Sequence, residues 1–276
     1  MRRTTTGAVL AVSWGLTLLW AASAGAVVID DQYHGAKPTR GSYGDVVAAR
    51  SDRRFDVHGA RIEQSGHTLM IDILTNFAGN SGIFSNLTKD GKGITYGDLF
   101  LSENWDPVGD AQDHYINDNH ANGTHWSYGF ALDNRWSGSG GQGTLYSLGG
   151  TGYSDNILLT DDVMRSGIYR SGQEFAVDIE RLGNAGVVGE GSWTVLADAL
   201  HFEIDIGKTG DIGLRNGVAL HWGMSCGNDV IEGFAIEGPP DRLDSGQVPA
   251  PATALLMMLG IAGLGSIRAR ASVPSR

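Results

Sequence analysis

Over residues 200–206 every second side chain is large and apolar: Leu200, Phe202, Ile204 and Ile206 alternate with His201, Glu203 and Asp205. A period of two sends successive side chains to opposite sides of an extended chain, leaving one face for a core and one for water. The pattern recurs along the chain. Leu69, Ile71 and Ile73 alternate with Met70, Asp72 and Leu74; Trp126, Tyr128, Phe130 and Leu132 alternate with Ser127, Gly129 and Ala131; Phe175, Val177 and Ile179 alternate with Asp178 and Glu180. Val218, Leu220 and Trp222 make a further run, which a small-residue turn over 223–228 joins to 230–234 as a hairpin closing the domain. One-sided strands belong to antiparallel sheets, whereas a parallel α/β core needs strands that are apolar on both sides. The segments between the runs are rich in Gly, Asn and Asp, as at 119–123, 137–143 and 207–213, and the 41 Gly show no three-residue period. This excludes collagen and suits a turn-rich β chain. With no helical stripe over ten residues and no internal repeat, the expected fold is all-β, an antiparallel two-sheet sandwich of jelly-roll or lectin-like type. The single Cys226 permits no internal disulfide, thiolate zinc cluster or iron–sulfur site, and reads as a small buried residue.

Both ends depart from this pattern. Arg2 and Arg3 precede an apolar run from Gly7 to Trp20, and Ala22, Ala24 and Ala26 supply small residues at signal-peptidase spacing. Residues 1–26 therefore read as a secretory signal peptide cleaved after Ala24 or Ala26, and 27–238 as the folded domain. A polar linker over 239–248 follows. The last stretch, 249–276, holds an apolar run over 252–267 closed by Arg268 and Arg270. Sixteen helical residues reach only about 24 Å, short of the ~30 Å hydrocarbon core, so this segment suits transient inner-membrane anchoring with its Arg end on the cytoplasmic side.

Val248, Pro249 and Pro251, the short Leu- and Gly-rich run and the Arg268 and Arg270 cluster together resemble the PEP-CTERM sorting signal of Gram-negative surface proteins. The middle Glu of the family's Pro-Glu-Pro is Ala250 here. The string ALHWGMSCGNDVIEG, residues 219–233, is similar to a segment found shortly before that tail in such proteins. The resemblance implies export, recognition by signal peptidase and an exosortase, and delivery to the outer surface or extracellular matrix. There it implies a non-enzymatic, structural or adhesive role in a biofilm beside exopolysaccharide.

All 31 acidic residues lie within 27–248 against 15 basic ones, a net charge of −16 once both ends are removed. Such a domain repels nucleic acid and anionic lipid and attracts divalent cations. Oxygen ligands for Ca²⁺ are concentrated in the loop holding Asp110, Asp113 and Asp118, with further acidic pairs at Asp30-Asp31 and Asp161-Asp162, although none has EF-hand spacing. Trp105, Trp136 and Tyr146 lie near turns, where an aromatic plane could stack on the C–H face of a sugar, the basis of a lectin-like alternative. Glu203 and Asp205 share one strand face, as do the catalytic carboxylates of laminarinase-like glycoside hydrolases. The following Gly207 and Lys208, however, supply no acid to protonate a leaving group. His201 and His221 read as surface or half-buried imidazoles.

Overall fold

The computed structural model describes residues 25–41, 44–47, 53–149, 156–210 and 212–237. The expected signal peptide to residue 24, the expected linker and the expected sorting tail with Val248, Pro249, Pro251, Arg268 and Arg270 lie outside them. The chain divides into two units between Glu237 and Gly238. Among the described residues no helix is long and apolar enough to cross a membrane.

The described residues form twelve strands: β1 (Val27–Asp30), β2 (Val57–Ser65), β3 (Thr68–Thr75), β4 (Leu99–Ser102), β5 (Tyr128–Leu132), β6 (Gly140–Ser147), β7 (Ile157–Leu159), β8 (Glu174–Val177), β9 (Val187–Val195), β10 (Ala199–Asp205), β11 (Val218–Gly223) and β12 (Val230–Ala235). Ten of them form one antiparallel sheet in the order β1-β2-β3-β10-β9-β6-β5-β4-β11-β12, nearly closed into a barrel. The all-β antiparallel expectation holds, and so does the β11–β12 hairpin, with Trp222 opposite Ile231. Two stacked sheets are not what buries the apolar faces. Alternation says that a strand has one dry face but not what covers it, and a twisted sheet of about ten strands curls until it covers itself. A second layer exists only locally. The small sheet β7–β8 lies on the outside of the barrel, where Val177, Ile157 and Leu148 pack with Phe100, Ala131 and Ala219. Trp126 belongs to this outer cluster and precedes β5, instead of sharing the interior face with Phe130. The expected run through Ile179 also stops short: β8 ends at Val177, and Asp178 accepts from the Arg181 amide to start a short helix, α1 (Ile179–Leu182), that leaves Ile179 exposed.

The interior is filled by Leu69, Ile71 and Ile73 of β3, Leu200, Phe202 and Ile204 of β10, Trp193 of β9, Phe130 of β5 and Leu220 and Trp222 of β11. Glycines make the curvature possible. Phe130 occupies space that Gly143 on β6 and Gly191 on β9 leave open, and a Cβ on Gly191 would come within 2.9 Å of the ring. A Cβ on Gly143 would overlap that ring. Gly143→Ala is therefore expected to lower stability by roughly 1–3 kcal/mol through overpacking. Adding Phe130→Leu should recover part of that loss in urea unfolding, and strictly additive losses would contradict the packing argument.

Candidate functional site

The two edges of the sheet, β1 and β12, lie side by side along a seam. Gly233 allows the approach, because a Cβ there would sit 2.6 Å from Ile29 Cγ2. Val28 and Asp30 on β1 point outward, as do Glu232 and Phe234 on β12. The chain leaving β4 returns over this seam and places Trp105 on it. The Trp105 indole N–H donates to Glu232 Oε1 at 2.8 Å, which also accepts from Thr124 Oγ1 at 3.1 Å. Glu232 Oε2 lies 3.1 Å from Nδ1 of the fully buried His221, whose Nε2 is 3.0 Å from the Glu174 carbonyl. Burial disfavours the imidazolium, yet the Glu232 hydrogen bond and the charges of Glu174 and Glu232 outweigh it and raise the His221 pKa. Behind it, Glu174 meets His120 and the Trp126 N–H, both at 3.3 Å. Burial alone would raise the Glu174 pKa, and the two histidines bring it below the usual value.

The rings form a braced wall. Trp105 meets Tyr115 edge-on with centroids 5.3 Å apart, and Tyr115 stacks on Tyr33 at 5.8 Å. Tyr33 donates to Asp118 Oδ2 at 2.8 Å. The wall borders a groove of about 250 Å³ that also takes in Asp30, Glu232 and Phe234. An adjoining hollow of about 270 Å³ lies over Glu103, Asn104, Trp105 and Phe234. An aromatic plane whose N–H is pinned, beside carboxylate and amide groups, is chemically suited to stacking on a polar ring and accepting its hydroxyl hydrogens.

A second cluster sits at the end of the barrel where β1 finishes and the β11–β12 hairpin turns. Asp31, Asp45 and Asp229 bring carboxylate oxygens within 4.8 Å of one another, the one such grouping of three metal-ligand side chains among the described residues. Asp229 accepts from the amides of Val57 at 2.6 Å and Val230 at 3.0 Å. Asp31 Oδ1 and Asp45 Oδ1 are buried without a hydrogen-bond partner. Buried Arg170 ties the adjoining loop by donating to the carbonyls of Ala36, Gly44 and Asp45. Burial, followed by the repulsion of Asp45 and Asp56, pushes Asp31 up to about 8. Asp45 and Asp229 are raised by burial and by their neighbours' charges. The three carboxylates, with Asp56 also acting on them, outnumber the one guanidinium of Arg170, and protons or a divalent cation would offset the excess negative charge. An all-oxygen set of this kind suits Ca²⁺ or Mg²⁺.

The sequence-predicted residues fare unequally. Trp105 lies in the seam groove, but Trp136 lies under Lys92, whose Nζ is 4.9 Å from its ring centre, and Tyr146 packs against the outer apolar cluster, so the three aromatics do not converge. Asp110, Asp113 and Asp118 do not form the expected cation loop. Asp110 accepts from the amides of Gln112 and Asp113 to cap a 3-10 turn, Asp113 is exposed, and Asp118 is buried on Tyr33 and the Val108 amide. Burial and the charge of Glu232 push Asp118 up to about 7. Asp161 is taken by Ser171, Tyr169 and the Gly172 amide. Glu203 and Asp205 stand exposed on the outer face of β10; His201 reaches Asp72 at 2.6 Å and Glu203 at 3.4 Å, and Asp205 caps the Gly207 amide. His221 is fully buried and ion-paired, not a surface imidazole. Cys226 is buried, and burial pushes its thiol up to about 12, so it stays protonated.

Sequence reasoning missed Asp45, Asp229, Glu232 and Tyr33. Asp229 and Glu232 fall inside the 219–233 string that carried the family resemblance, and no spacing marks them as ligands. No protein-family model, curated protein or solved structure matches this chain.

Proposed function

We propose that this chain is an exported, non-enzymatic surface or matrix protein whose barrel holds glycan at the β1–β12 seam. The observation that carries the glycan reading is the seam groove, where Trp105 is locked by Glu232 and braced by Tyr115 beside the exposed Phe234. A binding surface that is rigid before the ligand arrives loses little conformational entropy on binding. Export rests on the two sequence ends, the −16 domain between them and the PEP-CTERM-like tail, which would make signal peptidase and an exosortase the processing partners. The fold is compatible with this: Gly25 and Glu237 border the same hollow at one barrel end, beside the β2–β3 turn, and the strands among the described residues lie within 27–235. For a structural Ca²⁺, the ligand set in this reading is Asp31, Asp45 and Asp229, because two of their oxygens are buried without a hydrogen bond, Asp45 Oδ1 having only His34 Nε2 at 3.6 Å.

Affinity electrophoresis of residues 27–237 through gels containing soluble polysaccharides tests the glycan reading. Retardation is expected in at least one gel, and Trp105→Ala should weaken it about two- to tenfold, since one lost stacking contact is worth roughly 0.5–1.5 kcal/mol. Mobility unaffected by any polysaccharide would defeat the reading. Mass spectrometry of protein recovered from its native cells tests export: termini near residues 25–27 and upstream of Arg276 are expected.

A further inference from the structure

The seam groove and its neighbouring hollow are acidic. Asp30, Glu232 and Glu103 line them together with Gln32 and Asn104, and no Lys, Arg or His side chain is among their lining residues. Glu232 is matched by the buried His221 and by two neutral donors. Asp30 is exposed at the end of β1, and Glu103 accepts from Ser127 Oγ at 2.6 Å. A uronate, sulfate or phosphate on a bound sugar would find no cation among these lining residues and would face these carboxylates within a stretch, residues 27–248, of net charge −16. A protonated amine on the sugar would find the opposite. Ammonium donates up to three hydrogen bonds and is drawn to carboxylate, and charge-assisted bonds of this kind are about twice as strong as neutral ones.

Resting on the glycan-binding reading, we propose that the ligand of the seam groove is an amino-sugar polymer with free amines, stacked through its C–H face on Trp105 and Phe234 and held through its ammonium groups by Asp30 and Glu103. Neutral sugars retain the stacking contribution and lose the charged one. Anionic sugars are rejected.

Titration calorimetry on residues 27–237 with three hexamers, of glucosamine, N-acetylglucosamine and guluronate, tests the idea at pH 6, where the amine is protonated. Glucosamine hexamer is expected to bind about tenfold more tightly than its N-acetylated form, and guluronate not to bind. Asp30→Asn combined with Glu103→Gln should bring glucosamine down to about the affinity that the same variant shows for N-acetylglucosamine, closing the gap between the two sugars. Raising salt from about 50 to 500 mM should narrow the same gap. Trp105→Ala should weaken both sugars, and Trp105→Phe, which keeps a ring, should restore most of that loss if the protein is folded. Equal, Trp105-dependent affinity for the first two hexamers would overturn the amino-sugar inference and leave glycan binding standing. Glucosamine binding indifferent to Trp105 and to the Asp30/Glu103 pair would mean diffuse attraction to an acidic surface and would overturn it too. Absence of binding to all three would remove both.

Discussion

Asp98→Ala is expected to lower the stability of the barrel by about 3–5 kcal/mol, the range seen when one partner of a buried charge pair is removed. Asp98 is completely buried. Its Oδ1 accepts from the Leu132 amide at 3.0 Å, and its Oδ2 accepts from the Val177 amide at 2.8 Å and from Arg135 Nη2 at 3.1 Å. One side chain thus ties the end of β5, the end of β8 and the loop after β5 together, adding polar links to the apolar packing between the small outer sheet and the barrel. Burial raises its pKa even though Arg135 and the two amides favour the charged form. Deleting the carboxylate strands two buried N–H groups and a guanidinium that also lies over Phe175, 5.7 Å from the ring centre. For a domain of this size the melting temperature should fall by about 10 °C or more. Asp98→Asn, which keeps an acceptor but not the charge, should fall between. A loss under about 1 kcal/mol for Asp98→Ala would show that these bonds do not hold the layers together.

In chelated buffer, thermal stability is expected to fall as pH rises from about 6.5 to 9. A carboxyl whose folded pKa lies above its unfolded value holds a proton in the fold that the unfolded chain has already released. Its contribution is complete below the unfolded value near 3.8 and is lost as pH climbs through the folded one. Asp31 at about 8 and Asp118 at about 7 set the window, and Asp45 and Asp229 act in the same sense. His221 and His201 add to the slope, since their raised pKa values stabilise the protonated fold and that benefit too disappears with rising pH. His34, which burial lowers to about 4, acts below this range. One pKa unit corresponds to about 1.4 kcal/mol, so a net drop of about 5–10 °C is a reasonable scale. Asp31→Asn removes one titrating group and should flatten the curve and raise stability at pH 8. If the carboxylates hold a cation, millimolar Ca²⁺ at pH 8 should restore the lost degrees in the parent protein and do less for Asp31→Asn. A flat pH profile in chelator would rule out the buried, repelling arrangement of the three aspartates.

Much of the β structure was legible beforehand because alternation is local. Leu200, Phe202 and Ile204 needed no knowledge of their partners to be assigned to an inward face, and the turn before Val230 announced its hairpin. The exceptions share a cause. Ile179 continued the alternation of β8 but left the strand because Asp178 captured the Arg181 amide, a competition between side chain and ladder that periodicity does not register. His221 looked like an outward residue of β11, and its burial follows from Phe100 of β4 and Trp126, just before β5, covering that outward side. The acidic loop at 110–118 attracted a cation assignment by density of oxygens, yet its carboxylates are consumed by caps and by Tyr33. The triad that does converge draws Asp31, Asp45 and Asp229 from positions up to 198 residues apart.

The amino-acid sequence by itself determined the antiparallel, one-sided strands, the acidity of the domain and the distinct character of its two ends, since each depends on residue type and near-neighbour spacing. The tertiary structure alone decided that the sheet curls into one near-closed barrel, that Trp105 is pinned by Glu232 across the seam, and that three distant aspartates meet. Those outcomes depend on which strand edges find each other, and hydrogen bonds between edges carry no signature in the order of side chains along either strand.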